Sequence, residues 1–124
     1  MDDFFEQINP KAITARINVD IARTAHREAI NSGLEDEVFK AVTNMIISLM
    51  DQTIVAANHV EERLEFLRTV GDSYPNFSRD LGATDLMADN ALANSELAME
   101  QMKKAVADAE DWKRRARNVA GGNN

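Results

Sequence analysis

The longest apolar pattern of the chain runs over residues 35–70, EDEVFKAVTNMIISLMDQTIVAANHVEERLEFLRTV. Apolar side chains recur along it at alternating spacings of three and four residues, which is typical of an amphipathic helix packed against other helices. At a rise of about 1.5 Å per residue, the stretch predicts a helix about 53 Å long. Because its apolar surface covers more than half of the circumference, we expect it to contact partners on two sides.

The sequence marks both ends of this central helix. Ser32 and Glu35 have the separation of a capping box, in which two side chains satisfy free backbone N–H groups. The acidic residues 35–37 suit the first turn, because negative charge complements the helix dipole there. Gly71 follows Val70 and predicts the end of the helix, since glycine readily adopts the left-handed conformation that terminates helices.

One further helix is expected on each side. Asn9 and Pro10 are the residue types of an N-cap and a first helical position, and Gly33 predicts an end near residue 31. Thr84 and Asp85 predict the beginning of a third helix, with a capping residue and an acid in its first turn. The predicted segments are an N-terminal arm (1–8), three helices (10–31, 35–70 and 85–118), a loop (72–83) and a disordered tail (120–124), with residues 9–119 forming a single helical domain.

The outer helices show which faces they turn inward. In the first helix, five apolar residues recur every four positions and are predicted to face the core: Ile13, Ile17, Ile21, Ala25 and Ala29. The third helix is rich in alanine, so a neighbouring helix can approach it closely. The fold class is therefore predicted to be all-α: a three-helix bundle dominated by a long antiparallel helical hairpin similar to a coiled coil.

The composition excludes several classes of protein. The chain has 124 residues, and its 21 acidic and 14 basic side chains give a formal net charge of −7. This excess of acid argues against a nucleic-acid binder, whose affinity depends on cationic side chains at phosphates. Because the chain has no cysteine, disulfide scaffolds and cysteine-based metal sites are excluded. We expect no membrane span and, by default, a cytoplasmic location, with leaderless export as the alternative, since neither a secretory signal nor an apolar run of about 20 residues is found.

The sequence offers little for catalysis or metal binding. His26 and His59 are the only histidines, and His59 with Glu62 has the reverse order of the Glu-x-x-His pair used in carboxylate-bridged metal sites. Glycine-rich phosphate loops, nucleophile elbows and His-Glu-x-x-His helices are absent from the sequence. We therefore expect no enzymatic activity, no catalytic residues, no cofactor and no metal.

The apolar surplus of the central helix indicates an interaction protein. A shorter first helix and an alanine-rich third helix leave part of this surface uncovered, so we expect a non-enzymatic assembly protein that self-associates through the apolar faces of its central helix. Its expected partners are further copies of itself in a homo-oligomer and another protein. The predicted interface residues are Ile47, Met50, Ile54, Leu64, Tyr74, Phe77, Met99, Met102 and Trp112.

An alternative hypothesis rests on charge. Residues 35–71 hold seven acidic and three basic side chains, which suits a small acidic regulator or inhibitor that occludes a basic surface of a partner, as a nucleic-acid mimic, adaptor or chaperone does. Near the other end of the chain, residues 113–117 carry four basic side chains. We expect these to face the acidic residues 35–37 across the antiparallel hairpin, since each cluster lies at the helix end that its charge prefers.

Overall fold

The computed structural model describes residues 2–34 and 36–122. It contains three helices, α1 (Asp2–Asn31), α2 (Glu37–Val70) and α3 (Phe77–Gly122), and each packs against the other two. Ion pairs join Arg16 to Glu61 and Arg23 to Asp51, so α2 runs antiparallel to α1. The predicted all-α three-helix bundle is confirmed, and the described residues contain no strand.

The core combines large side chains from α2 with small ones from α1 and α3. The large buried side chains of α2 are Phe39, Ile46, Met50, Val60, Leu64 and Leu67, and the buried alanines are Ala12, Ala15, Ala22 and Ala29 in α1 and Ala88, Ala91, Ala98, Ala105 and Ala109 in α3. Because alanine is short, α1 and α3 lie close together, and α2 fills the groove between them. Burial of each large side chain stabilises the fold by about 1.5–3 kcal/mol.

α1 begins at Asp2, so the predicted N-terminal arm over residues 1–8 and the predicted helix start at residue 10 are wrong. Pro10 lies inside the helix, where it lacks an N–H for the carbonyl of Glu6 and its ring crowds that oxygen, at a cost of about 3 kcal/mol. Phe5 and Ile8 are buried against α2 and α3. Their packing offsets the cost of Pro10 and keeps the first two turns helical.

The face that α1 turns to the core also differs from the prediction. Its buried residues follow alternating spacings of three and four from Phe5 to Ala22, whereas Ile13, Ile17 and Ile21 are between 41% and 51% exposed. Residues four apart are offset by about 40° around a helix, so a strict four-residue row turns relative to the interface. The predicted row reaches the interface only at its end, where Ala25 is half-buried and Ala29 is buried. The alanine-lined face is buried instead because it allows α1 to approach the alanines of α3.

A Schellman motif ends α1. Gly33 has a φ of +78°, and its N–H donates to the carbonyl of Ile30 at 3.0 Å. The N–H of Leu34 donates to the carbonyl of Ala29 at 3.0 Å, and both of these residues are buried. This pair of bonds, with a hydrophobic contact across it, satisfies carbonyls that a helix end leaves free.

The N-cap of α2 is Asp36, not Ser32 as predicted. The Asp36 carboxylate accepts a hydrogen bond from the Phe39 N–H at 2.7 Å, and α2 begins at Glu37. Ser32 belongs to the turn that ends α1, because Gly33 in the left-handed conformation separates it from the next helix. Glu35, the predicted partner in the capping box, lies outside the described residues.

α3 begins at Phe77 rather than at residue 85, so the loop spans residues 71–76 instead of 72–83. Phe77 and Leu81 are buried one turn apart, and Asp80 suits the first turn by its charge. This packing outweighs the cost of about 1 kcal/mol for Gly82 inside the helix. α3 continues to Gly122, so the predicted end at 118 and the predicted disorder of residues 120–122 are wrong, while residues 123–124 lie outside the described part of the chain.

Aromatic side chains seal the end of the bundle at which α2 is joined to α3, which we call the closed end. The ring of Phe77 meets that of Phe5 edge to face at 6.4 Å, and Tyr74 meets Phe66 in the same way at 5.5 Å. The guanidinium of Arg68 lies 5.1 Å from the centre of the Phe5 ring. Tyr74 and Phe77 therefore pack over this end of the bundle.

Candidate functional site at the open end of the bundle

At the opposite end, which we call the open end, α3 extends past both other helices. The Lys113 ammonium donates a hydrogen bond to the carbonyl of Ser32 at 3.0 Å, so α3 reaches the level of the α1–α2 corner at this residue. Every residue from Arg114 to Gly121 is exposed. Residues 113–122, which we call the overhang, thus carry α3 about 15 Å beyond the corner.

The core-facing pattern of α3 continues into the overhang. From Phe77 to Ala109 the buried residues of α3 follow alternating spacings of four and three. The next positions of this pattern are Trp112, Ala116 and Val119, and the first and last are 66% and 65% exposed. Because α1 has ended and α2 begins only at the level of Trp112, a core-type surface faces the solvent from there to Val119.

A groove between α2 and α3 adjoins the base of the overhang. Its volume is about 360 Å³, and Val38, Val42 and Trp112 are among the side chains that line it. Val38 is 74% exposed, and Met45, two turns further along α2, is 77% exposed. The groove and the overhang therefore form one continuous exposed apolar surface, of the kind that marks interaction sites.

The groove and the overhang carry opposite charges. Asp36 and Asp108 line the groove, and every charged side chain among its described lining residues is acidic. The overhang contains four basic residues and no acidic one. Arg114 and Arg115 pair with Asp111 at 2.6 Å and 3.0 Å within α3.

The predicted pairing of residues 113–117 with residues 35–37 does not hold for the described part of the acidic cluster. Lys113 contacts the Ser32 carbonyl instead, and Asp36 and Glu37 form no ion pair with the basic cluster among the residues that the structure describes. The helix register explains this difference, because α2 begins level with Trp112, before most of the basic residues of α3. Glu35 lies outside the described residues.

Four predicted interface residues lie in the core of the chain. Met50, Leu64, Phe77 and Met102 are at most 5% exposed. They are not accessible on the surface of the three-helix bundle, because each belongs to the core between the helices. The surplus of apolar surface that the interface prediction needed lies elsewhere on the molecule.

The other predicted interface residues differ in their surroundings. Ile47 and Ile54 are half-buried where α2 packs on the core, Met99 is half-buried on α3, and Tyr74 is half-buried at the closed end. Only Trp112 is exposed and lies at the open end. Four exposed apolar residues of the open end were not among the predicted interface residues: Val38, Val42, Met45 and Val119. The available signal is helix length, because an α3 that begins at residue 77 is longer than α2 and must extend past it.

Interhelical ion pairs hold the sides of the bundle together. The Lys11 ammonium lies 2.7 Å from a carboxylate oxygen of Asp85 and 2.7 Å from one of Asp89. The hydrogen bond that Lys11 donates to Asp85, followed by the one it donates to Asp89, raises the pKa of Lys11 against an opposing effect of burial. Arg63 pairs with Asp80 at 2.6 Å between α2 and α3. These contacts fix the relative positions of the helices.

The two histidines lie in different surroundings. The ring of His26 is partly packed and stacks on Phe39 at 5.8 Å between centroids, whereas His59 and Glu62 are exposed on α2. Across residues 2–34 and 36–122, no three His, Asp or Glu side chains are grouped to hold a metal ion.

α2 is the one described helix that is long and apolar enough to cross a membrane by length and composition alone, which is weak evidence for a span. Helices from the cores of soluble proteins pass the same test. Comparisons of the chain with protein-family models, with curated proteins and with solved structures give no match. The open end is therefore interpreted from its own geometry.

Proposed function

We propose that this chain is a non-enzymatic helical assembly protein that self-associates through the open end of its bundle. The observation that carries the proposal is the continuation of the core pattern of α3 into Trp112, Ala116 and Val119, all three of which are exposed. A helix that keeps its core periodicity beyond its own bundle presents the surface that a coiled-coil partner covers.

The neighbouring residues of α2 support the same proposal. Val38 and Val42 line the groove together with Trp112, and Met45 is exposed about one turn further along α2, so the apolar surface belongs to both long helices. Large exposed aromatic side chains next to apolar grooves are typical anchors of protein–protein interfaces. The central helix thus contributes to the proposed interface, through its first two turns rather than through its middle.

The test is the mass of the purified chain by sedimentation equilibrium over a series of concentrations. We expect a defined oligomer whose fraction rises with concentration. Trp112→Glu should shift the midpoint of association upward by about tenfold or more, because it removes an aromatic anchor and places a charge on an apolar surface. Leu86→Glu is the matched control, since Leu86 also lies on α3 and is 62% exposed, but is far from the open end.

The outcomes are distinct. An oligomer weakened by Trp112→Glu and unchanged by Leu86→Glu supports the proposal. A monomer at all concentrations up to the high micromolar range contradicts it and indicates that a different protein covers the open end. An oligomer that both substitutions leave intact contradicts the location of the interface. Circular dichroism of each variant shows whether the helices have been retained.

A further inference from the structure

We infer that in a pair of copies each overhang lies in the α2–α3 groove of the other copy, antiparallel to that copy's α3. This inference rests on the proposed self-association and adds which surfaces meet. It identifies a second copy of this chain as the occupant of the groove, and a segment of that copy, residues 113–122, as the ligand.

The position of the groove makes such an exchange symmetric. The groove and the overhang adjoin at Trp112, which lines the groove and stands at the base of the overhang. A two-fold axis across α3 near this residue reverses the second helix, so each overhang runs back along the other copy from its base. The overhang of each copy then lies in the groove of the other, so the two contacts are identical, as in the two-fold symmetric interfaces of most homodimers.

The lengths of the two surfaces match. The overhang is about 15 Å long, and the exposed apolar residues of α2 from Val38 to Met45 extend over about 10 Å. An overhang that starts at the level of Trp112 therefore covers all of them. Ala105 and Ala109 on the floor of the groove, and Ala116 on the overhang, are small enough for the helices to approach closely.

Charge selects this occupant among apolar helices. The groove presents the carboxylates of Asp36 and Asp108, whereas all the charged residues of the overhang are basic. Arg117 forms no ion pair among the described residues of its own chain. In the antiparallel pair, position 117 of one copy comes level with Asp108 of the other, so opposite charges meet beside the apolar contact.

The absence of cysteine from the chain provides a direct test of this geometry. Val42→Cys and Val119→Cys are made as separate chains, mixed in a glutathione buffer and examined for a mixed disulfide between the two. A bond forms only where Cβ atoms come within about 4.5 Å, which the antiparallel arrangement allows for this pair. Val55→Cys, on α2 and 55% exposed but beyond the reach of the overhang, is the matched control against Val119→Cys.

We expect the Val42–Val119 mixed disulfide at about tenfold or more over the Val55–Val119 one, because docking raises the effective concentration of the two thiols. Oligomers in which Val119→Cys chains link mainly to each other, or to both α2 positions equally, overturn the inferred geometry and leave self-association standing. A chain that stays monomeric in sedimentation overturns both. Met45→Cys, at an exposed position one turn further along α2, replaces Val42→Cys if circular dichroism shows that the latter has lost helix.

Discussion

Asn18 of α1 donates a hydrogen bond from its side-chain amide to the Ser95 hydroxyl of α3 at 3.1 Å, inside the core. The hydroxyl in turn donates to the Leu92 carbonyl at 2.6 Å. Both partners are buried, and among the described residues no buried side-chain nitrogen or oxygen atom lacks a hydrogen-bond partner. A polar pair between two alanine-lined faces defines which residues lie opposite one another, as a buried asparagine does in coiled coils.

Ser95→Ala is predicted to destabilise the fold by about 1–3 kcal/mol, because it leaves the buried Asn18 amide without its acceptor. The free energy of unfolding in urea measures this loss. Ser48→Ala, at an exposed position of α2, is the control and should change it by less than about 0.5 kcal/mol. Equal effects of the two substitutions would show that the pair does not stabilise the core.

Two glycines are predicted to respond in opposite directions to alanine. Gly82→Ala should stabilise the fold by about 0.5–1 kcal/mol, since the residue is inside α3 and a methyl group meets nothing within 4 Å. Gly33→Ala should destabilise it by about 1 kcal/mol, because φ is +78° and the new methyl lies 3.2 Å from the Lys113 ammonium. Thermal unfolding checks both. A loss of stability in Gly82→Ala would contradict a helix that begins at Phe77.

The first turns of α1 are predicted to depend on one of two adjacent phenylalanines. Phe5→Ala should cost about 3 kcal/mol, because Phe5 is 6% exposed and packs on Phe77. Phe4→Ala is the matched control, since Phe4 is 52% exposed, and should cost less than about 0.5 kcal/mol. Hydrogen exchange at residues 5–9 should rise in the first variant only. Similar protection in both would mean that Phe5 does not hold this segment.

How far the sequence predicts the fold depends on whether local signals and tertiary packing favour the same helix ends. α2 is predictable because periodicity, an acidic first turn and Gly71 agree. α1 is not, because Asn9 and Pro10 imitate a helix start while packing of Phe5 and Ile8 extends the helix beyond them. The local sequence pattern does not report the energy of such tertiary contacts. The position of a helix end therefore cannot be predicted from that pattern where these contacts outweigh the local signals.

Of the predicted interface residues, one lies exposed at the candidate site. Trp112 is predicted from its position in a helical pattern and is found exposed at the open end. Met50 and Met102 are buried instead, because the alanines of α1 and α3 let the three helices pack closely around them. Which apolar row stays uncovered depends on the relative lengths of the helices, and the length of α3 was underestimated at both of its ends.

The ion pairs of Lys11 predict a dependence of stability on high pH. Its pKa is raised from the ordinary value of 10.5 by the hydrogen bonds to Asp85 and Asp89. The resulting stabilisation is fully present below the unfolded pKa and is lost as the pH rises through the folded one. The difference in unfolding free energy between the wild type and Lys11→Met should therefore be constant near pH 7–9 and shrink above about pH 10.5.

The control for this prediction is Lys103→Met, which removes an exposed lysine of α3 that forms no ion pair among the described residues. It separates the specific contact from the loss of one positive charge. If the difference for Lys11→Met did not change between neutral and alkaline pH, the contact with the two aspartates would make no contribution to stability.

Charge reversal at the open end tests the inferred pairing of Asp108 with Arg117 between copies. Asp108→Lys and Arg117→Glu should each weaken self-association by about fivefold to thirtyfold, because two symmetric contacts change from attractive to repulsive. The double variant restores opposite charges and should associate within about threefold of the wild type, and Glu96→Lys, exposed on α3 away from the open end, controls for net charge. Sedimentation equilibrium measures all four. A double variant weaker than either single one would rule out this charge contact.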